Sequence, residues 1–449
     1  MMKECKGVSR ELKERFQTDY RSNRLLKAMT NALAKNAVNT VAFVPASARN
    51  TRYKFTIDIP TMKVTDQKDS GRCWIFSGLN VLREIVGKTC GIKRFELSQS
   101  YIAFWDKFEK CNYLLESVIS LGNVPADDRT LSCILENGAP DGGQWDMLVN
   151  LIEKYGLVPK DAMGESYQSS HTSPMNRLLN AKLRKGAATL RRMMAERADN
   201  AALEAEKEAQ LSELYGFLCA CYGEPPETFD FEYVDKEKNY RIERGLTPLG
   251  FYKEYVGDIL EDYVSVIHAP TADKPFGQTY TVDYIGNVIG GKAIRYLNLD
   301  LPAFKKLVLA QLSDREVVWF GSDCGKYADR ENGVWDVDAF DYKTAFGMDF
   351  SLTKEEALDY RQSAMNHAMV ITGVGLDAEN KPAKWKIENS WSEKSGNKGY
   401  FVMSDSWFDL YVYQAVIHKK YLEPSMVRAL ETEPVHLHPW DPMGTLAAD

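Results

Sequence analysis

A cysteine attacks well only as its thiolate, and a nearby cation or the positive end of a helix favours that state. Cys73 has such a helix end written into its own surroundings. Ser70-Gly71 marks a turn, after which Ile75, Leu79, Leu82 and Val86, with Phe76 and Ile85 beside them, repeat at helical spacing up to Gly87, where the helix is expected to stop. Cys73 therefore falls in the first turn of a core helix. Six residues earlier, Gln67 carries an amide that a reversal through Ser70-Gly71 can return to the sulfur; with the Cys73 N–H it would form an oxyanion hole for acyl transfer. The other half of that chemistry needs an imidazole. Asn366 to Gly375 and Lys384 to Trp391 each read as a strand, and the turn formers between Asp377 and Pro382 join them. A hairpin between them sets His367 and Asn389 side by side near its open end. So placed, the imidazole takes the thiol proton, holds it as a thiolate–imidazolium pair and later passes it to the leaving amine, while the Asn amide orients the ring. Trp391 would cover the Asn–His hydrogen bond from water.

The stretch Gln67-Lys68-Asp69-Ser70-Gly71-Arg72-Cys73-Trp74-Ile75-Phe76 resembles the nucleophile segment of papain-like cysteine peptidases, and within them the bleomycin hydrolase and bacterial aminopeptidase C family. A lone cysteine is ordinarily a small buried hydrophobe. Gln, Gly, Cys and Trp at this spacing before a helix reverse that expectation. Ser70 stands where the papain signature has another Cys, so the disulfide of secreted relatives is not expected. His367-Ala368-Met369 and Glu388-Asn389-Ser390-Trp391 match the family's base and orienting elements in order. The resemblance thus implies Cys73 as nucleophile, His367 as general base and acid, Asn389 as orienting residue and Gln67 as oxyanion donor. His171, His268, His418, His436 and His438 are given no role. The family's Leu-Ser-x-x-Tyr and Trp-Asp-Lys elements appear as Leu97 to Tyr101 and Trp105-Asp106-Lys107, in a long helix that Ser98 can cap. Gly142-Gly143 resemble the glycine pair that holds substrate main chain beside the papain-type cleft; an ordinary turn before a helix ending at Tyr155 explains the same residues equally well.

Length and composition bound the rest. A chain of 449 residues can bury one large core or two to three domains, and 44% apolar content with 11% aromatics excludes disorder. The cysteines at 5, 73, 90, 111, 133, 219, 221 and 324 lack the paired spacing of a disulfide framework or zinc site, so reduced thiols are expected and no metal or other cofactor. Met1 to Gly7 lead into a charged amphipathic segment without an apolar leader core, and no run approaches the ~18 apolar residues of a membrane span. A cytoplasmic protein is expected. The net charge of −7 argues against a surface-wide nucleic-acid platform.

The chain order suggests an α+β fold with helix-rich sequence first and strand-rich sequence after Pro270. In the terms of the resemblance this is a papain-like two-lobe peptidase: an N-terminal arm (1–60), a helical lobe with the nucleophile helix (61–172), a helical hook insertion (173–265), a β-barrel-like lobe with His367 and Asn389 (266–425) and a C-terminal arm (426–449). Within the arm, Tyr53 to Pro60 alternates like a strand. The spacing fits the larger family: His367 and Asn389 follow Cys73 by 294 and 316 residues, where papain-type enzymes have about 130 to 150. In the insertion, a basic run from Arg177 to Arg192 precedes an acidic one from Glu196 to Glu213, which reads as a self-complementary hairpin. By resemblance it would mediate a hexameric barrel with inward-facing active sites; some members bind nucleic acid there, which the acidic balance argues against.

Pro439-Trp440-Asp441-Pro442-Met443-Gly444 and the small residues after it resemble the family's C-terminal segment, which enters the cleft and offers a carboxylate to the substrate's α-ammonium. Asp449 is the terminal residue here, two beyond the family's usual Leu-Ala end. The implied substrates are peptides with a free N-terminus, and amides such as bleomycin. Two other classes fit part of the pattern. Transglutaminases also use Gly-x-Cys-Trp but orient their His with Asp, and a nucleic-acid-binding barrel would rely on the basic run.

Overall fold

The computed structural model describes residues 6–50 and 52–447. Two sequence periods give two cores. The helix Cys73–Cys90 is buried on nearly every side, as an apolar helix must be when it lies between layers. It runs past Gly87 and ends only where Gly91 takes a left-handed conformation (φ 66°). The expected stop falls one turn early: Gly87 lies within the helix, packed against the terminal methyl of Met62.

Around this helix stand Gln99–Ser120, whose N-cap Ser98 accepts a hydrogen bond from the Tyr101 N–H, and Trp145–Tyr155, which stops at Gly156 (φ 78°). The paired helices Ser173–Ala195 and Asn200–Tyr222 pack on Gln99–Ser120 through Leu179, Leu183, Leu190, Leu214 and Leu218. Their expected charge pairing reduces, among the described residues, to one ion pair, Lys182–Glu213. The arginines cap other helix ends instead. Arg184 donates to the Leu135 and Glu136 carbonyls at 2.9 and 3.1 Å, and Arg191 to those of Leu121 and Val124 at 3.1 and 2.6 Å. A hairpin, Phe229–Val234 with Tyr240–Leu246, follows within the same insertion and sets Phe229 and Phe231 against Phe251. It is not among the expected strands, although Phe-Asp-Phe-Glu-Tyr has strand alternation.

The second core is a twisted sheet whose middle strands are Tyr263–Ile267, Val412–His418, Val318–Ser322, His367–Leu376 and Pro382–Glu388, in that spatial order. His367–Leu376 is buried along nearly its whole length because both faces are covered: Cys73–Cys90 packs on one, Leu301–Ser313 on the other. Of the stretch Tyr53 to Pro60, only Ile57–Asp58 forms a strand, pairing with Val374 and Gly373. One buried ion pair crosses between helix and sheet: Arg83 meets Glu388 at 2.8 Å, the two side chains 1% and 2% exposed. It ties the Cys73 helix to the strand that leads into Asn389. The N-terminal helices Arg10–Ser22 and Arg24–Leu33 bury no residue. No helix among the described residues is long and apolar enough to cross a membrane.

Candidate active site

Cys73 opens its helix, so the sulfur stands at the positive end of the dipole, and the turn before it is fixed by a buried carboxylate. Asp141 accepts hydrogen bonds from the Gly71 N–H at 3.0 Å, from Asn176 at 2.9 Å and from the Thr172 hydroxyl, and pairs with Lys107 at 2.8 Å. Burial alone would raise its pKa; Lys107 and these hydrogen bonds override burial and hold the carboxyl well below its ordinary range. The Asp141 carbonyl accepts from the Trp74 indole at 2.7 Å. Lys110, paired with Asp106 at 2.7 Å, donates to the Pro140 and Gly142 carbonyls at 2.9 and 2.5 Å. Arg72 grips Glu165 with both terminal nitrogens, at 3.2 and 2.8 Å. The nucleophile turn and the Gly142-Gly143 loop are thus one hydrogen-bonded unit.

His367 begins its strand at the other wall. The Ala368 N–H donates to Cys73 Sγ at 3.4 Å, which sets the sulfur against the first residues of the His367 strand. His367 Nε2 is 2.9 Å from Asn389 Oδ1, and the Ser390 N–H donates to the same oxygen at 2.8 Å. Because that oxygen accepts, Nε2 carries the hydrogen and Nδ1 keeps the lone pair able to take a thiol proton. Asn389 Nδ2 is buried and has no hydrogen-bond partner among the described residues, so its carbonyl end carries the orienting contact. The Trp391 ring stacks on the imidazole at 4.8 Å and 28°. Burial lowers the His367 pKa to about 4, the Asn389 hydrogen bond opposing and Arg330 adding to the fall. An imidazole so desolvated becomes charged at neutral pH only beside an anion, and a thiolate is the anion that proton transfer from Cys73 would create.

Gln67 is built into the same place from the strand side: its N–H donates to the Ser390 carbonyl at 2.9 Å and its Oε1 accepts from the Ser390 hydroxyl at 2.6 Å. Its amide nitrogen donates to the Ser70 carbonyl at 2.6 Å, closing the turn that leads to Cys73. Gly143 lies against Trp74 so closely that any side chain would overlap the indole, a packing reason for that glycine that sequence alone did not give.

The C-terminal segment is buried. Asp441 pairs with Lys274 at 2.9 Å, the Thr445 hydroxyl donates to the Met365 carbonyl at 2.7 Å, and Leu446 and Ala447 are 1% and 5% exposed. Ala447 lines a small pocket with Gly138, Pro140, Lys110 and Ile285, beside the loop that carries Gly142. Asp449, the expected carboxylate anchor, lies outside the described residues. Asp141, Lys107 and Arg83 were not singled out as supports of the site. Asp141 directly precedes the glycine pair and Lys107 sits in the Trp-Asp-Lys element, so both carried a signal; Arg83 carried none.

The Peptidase C1-like family model matches residues 7–444. The chain is 46% identical to aminopeptidase C of Listeria innocua serovar 6a, covering 97% of this chain and 98% of the relative, and 42% identical to bleomycin hydrolase of Rattus norvegicus, covering 86% of each. Its structure is similar to the crystal structure of pepw from Lactobacillus rhamnosis HN001, with a TM-score of 0.96, 48% identity, and 98% and 99% of the two chains covered. Matches of this extent carry both walls of the cleft, and the chain belongs to the Peptidase C1-like family.

Proposed function

We infer that this protein is a cysteine aminopeptidase that removes residues from the free N-terminus of peptides and hydrolyses amide analogues such as bleomycin. The observation that carries the mechanism is the Cys73 sulfur held 3.4 Å from the Ala368 N–H, next to an imidazole whose outer nitrogen is fixed by Asn389 at 2.9 Å. His367 takes the thiol proton, the thiolate attacks the scissile carbonyl, and the proton returns to the leaving amine. The acyl-enzyme is then hydrolysed by water that His367 activates. The Cys73 N–H and the Gln67 amide stabilise the oxyanion; for the latter, Nε2 must turn from the Ser70 carbonyl it now meets at 2.6 Å. Gly142 and Gly143 line the substrate main chain, and Trp391 walls the side where the product leaves.

Aminopeptidase action is favoured by the buried segment from Pro442 to Ala447, which occupies space that an internal peptide would need. The carboxylate that follows, on Asp449 or on a trimmed end, binds the substrate ammonium. The protein works in the cytoplasm, as a homo-oligomer, a hexamer by resemblance. Residues 61–172 and 266–425 form the two lobes, 1–60 and 426–449 the arms, and 173–265 the hook, whose last residues already belong to the strand Tyr263–Ile267.

Digestion of a peptide library tests the assignment. Sequential release from free N-termini, with N-acetylated peptides resistant, is the expected result; cuts at internal bonds in acetylated peptides would refute it. Removing residues 445–449 is expected to convert the enzyme to internal cleavage, and an unchanged pattern would remove the segment from the account.

A further inference from the structure

Arg330 is exposed in the turn between the short strands Ala328–Asp329 and Val334–Trp335. Its guanidinium carbon is 4.8 Å from the centre of the Trp391 ring, and that centre is 4.8 Å from the centre of the His367 ring. Among the described residues it has no ion-pair partner, which separates it from Arg72 and Arg83, each neutralised by a glutamate. The result is a cation without an ion-pair partner among the described residues, one aromatic ring away from the His367 imidazole. Its field reaches that imidazole, since Arg330 is among the influences that lower the His367 pKa.

The chemistry gives this cation a direction. The leaving nitrogen collects its proton from His367, so the released part of the substrate must lie against the His367–Trp391 wall. The Gly142 loop stands on the helical side, with the retained N-terminal residue, and Ala447 lies beside that loop. In a dipeptide the released part is a free amino acid, whose carboxylate is attached to the carbon that bears the leaving nitrogen. A following Asp or Glu places a carboxylate only slightly farther away. We propose that Arg330 is a specificity-determining residue which, from its place over Trp391, draws a carboxylate of the released portion toward the His367 wall and so favours dipeptides or an acidic residue after the scissile bond. The inference rests on the aminopeptidase assignment and adds a preference to it on the leaving-group side. An exposed charge pair at this range is worth about a two- to fivefold preference, weakened by salt.

Two ratios of kcat/KM read the effect and separate the two sources of carboxylate: Ala-Ala over Ala-Ala-amide for the terminal carboxylate, and Ala-Asp-amide over Ala-Asn-amide for the side chain. In the wild-type enzyme at low salt at least one ratio is expected to be about two- to fivefold above unity. Arg330→Gln should bring that ratio to about one, Arg330→Lys should retain most of it, and Arg330→Glu should take it below one. Raising salt to about 0.5 M should compress the wild-type ratio in the same way. Wild-type ratios of one in both arms, or a ratio that Arg330→Gln leaves in place, would overturn the proposal. Hydrolysis of an alanyl-arylamide by the wild-type enzyme distinguishes the failures: its presence with flat ratios removes only the role of Arg330, and its absence removes the aminopeptidase assignment as well.

Discussion

The two walls of the cleft hold their reactive groups by opposite means. On the helical side the turn from Ser70 to Arg72 and the adjoining loop from Ala139 to Gly142 lie outside the strands, and buried ions serve them: Asp141 accepts from Gly71, while Lys107 and Lys110 cover the carbonyls of Ala139, Pro140 and Gly142. On the sheet side the backbone around His367 is already paired, Ser322 lying opposite His367 and Gly321 opposite Ala368. There the surroundings can be aromatic and apolar, and the imidazole is desolvated. A turn needs charged partners to stay where it is, whereas a strand end leaves its side chain free to be tuned by burial. The thiol proposed as nucleophile thus follows a turn held by buried ions, whereas His367, the proposed base, has its pKa lowered chiefly by burial.

That contrast can be broken at graded cost. Cys73→Ala should lower turnover of aminoacyl-arylamides by about 10⁴-fold or more while the far-UV and near-UV circular dichroism stay native, since a buried Cβ replaces a buried thiol; retained turnover would remove Cys73 from the mechanism. Glu388→Ala should cost about 3–5 kcal/mol in urea unfolding, because it strands the Arg83 guanidinium inside the interface between the two cores. A loss under about 1 kcal/mol would mean that the walls are held without that clamp. Asn389→Ala should reduce kcat about 10- to 100-fold, the value of one hydrogen bond to a charged ring, with a much smaller change in KM. Equal changes in the two constants would instead make Asn389 a substrate contact.

The smallest effect concerns acid stability. His268, buried on the sheet side and bonded to the Leu299 carbonyl at 2.9 Å, has its pKa lowered by burial from 6.5 to about 4. Its folded pKa lies below its unfolded one, so between these values the unfolded chain holds a proton that the native chain lacks, and stability falls as pH drops from 6.5 toward 4. His268→Gln should flatten this slope by about 1 kcal/mol in unfolding free energy between about pH 6.5 and 5.5. An unchanged slope would assign the acid sensitivity elsewhere, His367 being the next group with the same sign.

Much of this was legible in one dimension. Helical spacing placed Cys73 at a helix start, Ser98 announced its own cap, and the turn formers from Asp377 to Pro382 closed the hairpin that delivers His367 and Asn389. Local signals succeed there because each is decided within a few residues. Gly87 misleads for the same reason, since a glycine packed inside a helix against the distant Met62 looks like a glycine that ends one. The supports of the site were hidden because they join far positions: Arg83 and Glu388 are 305 residues apart, and Lys274 finds Asp441 only once the chain end is seated. The charge runs after Arg177 look like partners of each other, yet Arg184 and Arg191 serve carbonyls at the ends of other helices, a demand that sequence does not display.

The pairing of thiol and imidazole is tested most directly by the rate at which iodoacetamide alkylates Cys73 across pH, in the wild-type protein and in His367→Ala. An imidazole that takes the thiol proton should keep wild-type Cys73 reactive well into the acid range, while the variant reacts only as pH approaches the ordinary thiol pKa of about 8.5. Superimposed profiles, with both proteins reacting only near that alkaline value, would contradict the account.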